Sequence, residues 1–276
     1  MLKRMLCVAA AAALVLASQP TWAMAEEEEE APESAVSSPP MEMDDPGTPG
    51  RQGIEINIVG SHLRIGDGRS TETLLDANYG IGDRIQLKYE RPYVSEGAVG
   101  TKPQRGMGAT EFGIKWRAIE HNGLELAVYP QYTLDDAFTI KDENGDPEPS
   151  EGRSFYVPLL VSCEVHHIYT VAANVGFGHS LDGHGDDVSL ALGGGRAVGD
   201  GRVLAEVFSH RDKDLNNLET DVRVGYATLL FPKMTEHSSF EMPIYASYGH
   251  SVGRTDVQAR AASFTFGVSY IRKPKA

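Results

Sequence analysis

The chain has 276 residues, with 39 acidic and 25 basic side chains and a formal net charge of −14, a surface that disfavours nucleic acid as a partner. Its two cysteines, Cys7 in an N-terminal leader and Cys163, leave no pair to staple the mature chain, which excludes the small disulfide-built secreted folds. Stability must come from a hydrophobic core or a closed sheet, and beyond residue 25 no run of about 18 apolar residues suggests a transmembrane helix.

Lys3 and Arg4 precede an apolar run, Met5 to Ala17, and small residues at Ala23 and Ala25 offer cleavage sites. Residues 1–25 therefore read as a secretory signal peptide. Its removal leaves a net charge of −16, since Lys3 and Arg4 go with it. Residues 26–50 open on Glu26 to Glu30 and continue with Pro32, Pro39, Pro40, Pro46 and Pro49. This composition reads as a disordered acidic Pro-rich leader.

From residue 51 onward the apolar pattern has a period of two. Ile54, Ile56 and Ile58 alternate with Glu55 and Asn57, predicting a strand over 52–61. A second follows at 71–80, then a tight turn at 80–83 and a third strand at 83–91, where Ile85, Leu87 and Tyr89 alternate with Arg84, Gln86, Lys88 and Glu90. A longer linker, 92–107, leads to a fourth strand at 108–119, with Phe112, Ile114 and Trp116 against Glu111, Lys115 and Arg117. The Asn122-Gly123 turn signal leads to a fifth strand from Leu124, and 134–153 is the longest linker. Strands six to nine are expected at 154–165, 168–179, 187–196 and 202–210, and ten to twelve at 218–229, 239–249 and 258–271. Pro158, in the middle of the sixth, predicts a bulge or irregular pairing.

Twelve strands are an even number, and the linkers near 81, 121, 166 and 199 are short. Those near 65, 100, 143, 183, 214 and 254 are expected to be mostly longer and more polar. Apolar residues on one face, charges on the other and loops differing between two rims predict an all-β, antiparallel, closed up-and-down transmembrane β-barrel of about 12 strands, spanning 51–272 and followed by a tail, 273–276. Lipid leaves no unpaired backbone unsatisfied, so a sheet there must close. The competing reading is a secreted soluble β-sandwich, with its charged face in water.

Three stretches carry a family resemblance: ETLLDANYGIGDRIQLKYERPY (72–93), TEFGIKWRAIEHNGLELAVYPQY (110–132) and FYVPLLVSCEVHHIYTVAANVGFG (155–178). With a looser match through 190–210, they resemble the outer-membrane barrels called "MetA-pathway of phenol degradation" proteins. The resemblance implies a barrel in the outer membrane of a Gram-negative bacterium and a role in uptake or export of hydrophobic compounds. The acidic leader departs from that pattern, as does the run from Ile271 to Ala276 beyond the last aromatic, Tyr270.

The expected partners are outer-membrane lipid, the barrel-assembly and periplasmic chaperone machinery and small-molecule solutes. The lumen-facing candidates are Glu55, Asp76, Arg84, Lys88, Glu90, Glu111, Lys115, Arg117, Glu125, Glu206 and Arg223. Such residues either line a polar route for small or hydrophobic compounds or plug the lumen by pairing, as in a structural or surface-interaction barrel. His179, His184, His210 and His250 are weak metal candidates, because imidazole next to Asp182, Asp186 and Asp187 suits a divalent transition metal. No cofactor is expected. Gly249-His250-Ser251-Val252-Gly253 matches a hydrolase nucleophile elbow. That device needs a sharp strand-to-helix turn, and a strand follows here, so the match reads as chance and the protein as a non-enzyme. A membrane hydrolase is the alternative. Tyr79, Tyr89, Trp116, Tyr169, Tyr226, Tyr248 and Tyr270 are candidates for aromatic girdles, which would fall at two depths.

Overall fold

The computed structural model describes residues 41, 43–139, 152–165, 168–183, 185–212, 218–232, 238–254 and 261–272. The signal peptide, most of the leader and the tail lie outside them. All twelve expected strands are present: β1 (Ile54–Ile65), β2 (Gly68–Gly80), β3 (Ile85–Ala98), β4 (Gln104–Met107 and Glu111–His121), β5 (Leu124–Val128 and Gln131–Thr133), β6 (Ser154–Val165), β7 (Tyr169–Ser180), β8 (Asp186–Val198), β9 (Gly201–Asp212), β10 (Leu218–Leu229), β11 (Phe240–Glu241 and Pro243–Arg254) and β12 (Ala261–Arg272). Each pairs antiparallel with its neighbours in sequence. β1 then pairs with β12 over its whole length, from Ile54 opposite Arg272 to Ile65 opposite Ala261, which closes the barrel. Closure removes the two edges an open sheet would present.

The alternation read from the sequence sorts the side chains as expected. In β1, Glu55 and Asn57 are buried while Ile56 and Ile58 are exposed. In β4, Lys115 is buried while Phe112, Ile114 and Trp116 are exposed. The apolar face is thus the outer wall, and the polar face is the interior. This inverts a soluble protein and is the arrangement of a barrel in lipid.

All seven girdle candidates are on the outer wall. Tyr79 and Tyr270, the cross-strand partners of Ile54 and Ile56, lie at the rim where the barrel begins, as does Trp116, opposite Ile85. Toward the other rim lie Tyr248, whose partner is Phe264, and the pair Tyr132–Phe155, with ring centroids 4.8 Å apart. Tyr89 and Phe112, 5.6 Å apart, lie between, so the aromatics do not divide cleanly into two depths.

Three expectations about the connections change. The β1–β2 link is a two-residue turn, since Ile65 pairs with Gly68. Within the expected 92–107 linker, β3 runs on to Ala98 and β4 returns from Gln104, pairing Tyr93 with Met107 and Glu96 with Gln104. The irregularity expected at Pro158 falls on the neighbouring strand. β6 runs unbroken through Pro158, and β5 is interrupted opposite it, at Tyr129 and Pro130, where Tyr129 N–H donates to the Pro158 carbonyl. The Asn122-Gly123 turn forms as read: both residues have positive φ, 49° and 71°, the conformation this hairpin type requires.

After β5 the chain is held to the rim by Asp136. Its carboxylate accepts from the Thr110 N–H and hydroxyl, both at 2.7 Å, and forms a close ion pair with Arg91. Slight desolvation raises its pKa, but the bonds from Thr110 and Arg91 outweigh this and hold it below the usual carboxylate value. With the folded pKa below the unfolded one, this contribution is present above the ordinary carboxylate pKa of about 4. It is lost as pH falls through the folded value. Cleavage of the 134–139 segment by an acid protease should therefore speed up as pH falls below about 4. A pH-independent rate relative to a control substrate would contradict this.

Candidate functional site: the lumen

The lumen is polar because every second residue of every strand enters it. Asn57 Nδ2 donates to Glu55 Oε1 at 3.1 Å and to Asp76 Oδ2 at 2.8 Å. Asn78 donates to Asp76, and Gln86 Nε2 donates to Asn78 Oδ1 at 2.5 Å, so the chain of bonds crosses β1, β2 and β3. Lys88 Nζ lies 2.6 Å from Glu90 and 2.8 Å from Glu111. Arg117 pairs with Glu120 and Glu125, each at 2.9 Å.

Tyr129 occupies the break in β5 and is almost fully buried. The ammonium groups of Lys115 and Lys88 lie 4.7 and 5.7 Å from its ring centroid, positions where the negative face of the ring stabilises a cation. Lys115 is 2 % exposed and donates to the Asp45 carbonyl at 2.8 Å. A small polar cavity remains beside it, lined by Asp44, Asp45, Glu55, Asp76, Lys88 and Tyr129 among others.

That cavity exposes what sequence reasoning missed. The end of the acidic leader, expected outside the folded domain, packs inside the barrel. Met43 N–H donates to Glu206 Oε2 at 3.2 Å, and Asn174 Nδ2 donates to the Asp44 carbonyl at 2.9 Å. Pro46 is fully buried, and Thr48 donates to the Asp83 carbonyl at the rim at 3.0 Å. The Met43 side chain packs on Ala172, Ala191 and Phe208, while Met41 packs on a cluster of Leu204, Ala227 and Tyr245. Gly193 makes room for this: a Cβ there would lie 2.6 Å from Met43 Cε. The available signal was the pair of methionines interrupting a stretch otherwise rich in acids and prolines. Composition averaged over 26–50 hid it.

Of the predicted lumen residues, Glu55, Asp76, Lys88, Glu90, Glu111, Lys115, Arg117 and Glu125 form the connected networks above. Glu206, 2 % exposed, meets the leader. Arg223 packs beside Gly249 on the inner face of β10 and β11. Arg84 is the correction. The β2–β3 turn takes up residues 81–84 before the ladder starts at Ile85, so Arg84 is exposed at the rim, where its carbonyl accepts from the Arg117 N–H.

The rim histidines are not brought together. His179 lies on the outer face, 2.6 Å from Asp186, whereas His210 pairs with Asp187 on the inner face at 3.4 Å. His184 lies outside the described residues. Among these residues no group of three or more His, Cys, Asp or Glu is placed to hold a metal ion. The Gly249–Gly253 string lies within β11, with no turn beneath the serine. Ser251 Oγ accepts from the Ala261 N–H at 2.7 Å, bridging β11 to β12, and His250 is on the opposite face.

A closed twelve-stranded antiparallel barrel, apolar outside and charged inside, is the fold of outer-membrane channels and porins. Among solved structures, an outer-membrane channel from Pseudomonas putida F1 matches with a TM-score of 0.62 at 11% identity, covering 80% of this chain and 95% of that one. The NanC porin matches with a TM-score of 0.52 at 10% identity, covering 78% and 98%. At such identities the likeness is one of fold. No family model matches the chain, and no curated protein does.

Proposed function

We propose that the protein is a non-enzymatic channel for small solutes in the outer membrane of a Gram-negative bacterium. The observation that carries this reading is the alternation around a closed ring: apolar and aromatic residues outside, and networks of charged and polar side chains inside. The outer wall makes outer-membrane lipid the partner of the barrel, and such a fold needs barrel-assembly and chaperone machinery to reach it. The resemblance to the phenol-degradation pathway family and the likeness to a Pseudomonas channel support transport. The wall of this lumen favours small solutes with polar groups. Its acids, Glu55, Asp76, Glu90, Glu111, Glu125 and Glu206, outnumber Lys88, Lys115, Arg117 and Arg223, and the leader adds Asp44 and Asp45. A channel so lined concentrates cations.

Planar-bilayer recording in a salt gradient tests this. Small, discrete, cation-preferring steps are expected, with the preference reduced in Glu55→Gln/Asp76→Asn. A protein that shows the heat-dependent gel shift of a folded barrel and still gives no steps under any condition favours the second reading, a structural barrel plugged by its own contents. That reading draws its support from the leader segment in the lumen.

A further inference from the structure

We propose that Arg64, Arg69 and Arg105 form a site on the outer wall of the barrel for the phosphates of a glycolipid headgroup, at the rim away from the start of β1. The proposal rests on the barrel lying in an outer membrane and is independent of whether its lumen conducts. The register builds the site. Glu55 and Asn57 enter the lumen, so on the same strand His62 and Arg64 lie on the outer wall, and both are exposed. On β2, Leu75 and Tyr79 are outside, which puts Thr71 and Arg69 there too. Arg64 and Arg69 are direct cross-strand partners. In the next row inward from the rim, His62 stands opposite Thr71, Thr71 opposite Ser95 and Ser95 opposite Arg105.

This grouping is unfavourable without a ligand, because like charges directly opposite one another on one face repel. Other bases at this rim meet acids: Arg91 pairs with Asp136, Arg153 lies 2.7 Å from Asp182 and His179 lies 2.6 Å from Asp186. Among the described residues none of the three arginines is in an ion pair, although Asp67 sits in the turn between Arg64 and Arg69. Arg64 Nε donates to the Gly66 carbonyl and Arg105 Nε to Ser95 Oγ, each at 3.3 Å. The Nη groups of both, and the whole Arg69 guanidinium, are without a partner among these residues. In a chain of net charge −14, three arginines gathered without an acid are complementary to an anion from outside. A guanidinium offers paired N–H donors that match two oxygens of a phosphate. Position selects the source. Just below the cluster on the same wall are Ile58, Leu75 and Tyr93, all exposed. A phosphate at the arginines is therefore at headgroup level while its acyl chains lie on the apolar belt. The rim also carries the longest connection, 134–153, and long connections face outward in such barrels. The outward leaflet is the one built from phosphorylated glycolipid. His62, bonded to Thr71 at 3.0 Å, and Ser95 add polar groups for its sugar hydroxyls.

Native mass spectrometry of the full-length folded protein, released from detergent micelles with added bisphosphorylated lipid A, tests the site. Arg64→Glu/Arg69→Glu should bind this lipid at least about tenfold more weakly than the wild type, as expected when two charge-assisted phosphate contacts are lost. Arg105→Glu serves in the same way if the double variant lacks the heat shift of a folded barrel. Arg51→Glu/Arg84→Glu, the same charge reversal at the opposite rim, should bind as the wild type does. Equal binding by Arg64→Glu/Arg69→Glu and wild type overturns the site. Equal binding of lipid A stripped of its phosphates overturns phosphate recognition. Full displacement of the lipid by millimolar inorganic phosphate overturns the glycolipid as the ligand in favour of the free anion. Asp67→Cys, in a Cys163→Ser background, should react with a membrane-impermeant maleimide on intact cells. Reaction only after lysis would place this rim in the periplasm and overturn the headgroup assignment. Conductance decides the channel reading separately, and neither result depends on the other.

Discussion

Replacing Lys88 with methionine is expected to destabilise the barrel by about 3–5 kcal/mol, the usual consequence of removing one partner from a buried charge pair. The register makes the reason specific. Glu90 and Glu111 are direct cross-strand partners on β3 and β4. Like charges directly opposite one another on one face repel, and Lys88 Nζ holds them together from 2.6 and 2.8 Å. The three side chains are only 11, 23 and 20 % exposed, so water cannot take over that role. Urea unfolding in vesicles, followed through Trp116, the only tryptophan beyond residue 25, measures the loss. Adding Glu90→Gln and Glu111→Gln should restore most of the stability, because the uncompensated charge is then gone. A loss below about 1 kcal/mol, the range of an exposed ion pair, would mean that the triad is solvated and holds nothing.

Ile114→Arg should cost about 2–4 kcal/mol in a bilayer, the penalty for a cation on the lipid face near the midplane of a barrel. Ile114 is 52 % exposed and lies between Phe112 and Trp116 on the outer wall of β4. In water an arginine at such a site costs almost nothing, since surface substitutions fall within about half a kcal/mol. The measurement therefore reads the solvent that the outer wall meets. A full penalty in vesicles is the expected result. No penalty at Ile114 would return the barrel to water and remove the basis for a channel.

The strands and their faces were legible because a period of two is a local property. Ile54 to Ile58, Ile85 to Tyr89 and Phe112 to Trp116 each state which side chains share a face, and a closed sheet obeys that statement strand by strand. Connections were less legible. Gly66 and Asp67 look like the start of a polar loop, yet β1 and β2 continue through polar residues to meet there. Above the apolar belt, backbone pairing continues without any hydrophobic alternation to mark it. Arg84 had the right parity for the lumen, but a turn ends the parity argument at the residue where the ladder stops.

What the sequence by itself determined is the strands and their two faces, since alternation fixes which side chains share a face, whereas closure into a barrel rests on β1 pairing with β12. What only the tertiary structure decided is what lies inside. That Glu90 stands opposite Glu111, that Lys115 finds the Asp45 carbonyl, and that Met43 enters a hollow made by Ala172, Ala191 and Gly193 are all facts about residues far apart in the chain. The physical reason is that lumen contacts run across the ring. They depend on the register of every intervening strand, and no local pattern encodes them.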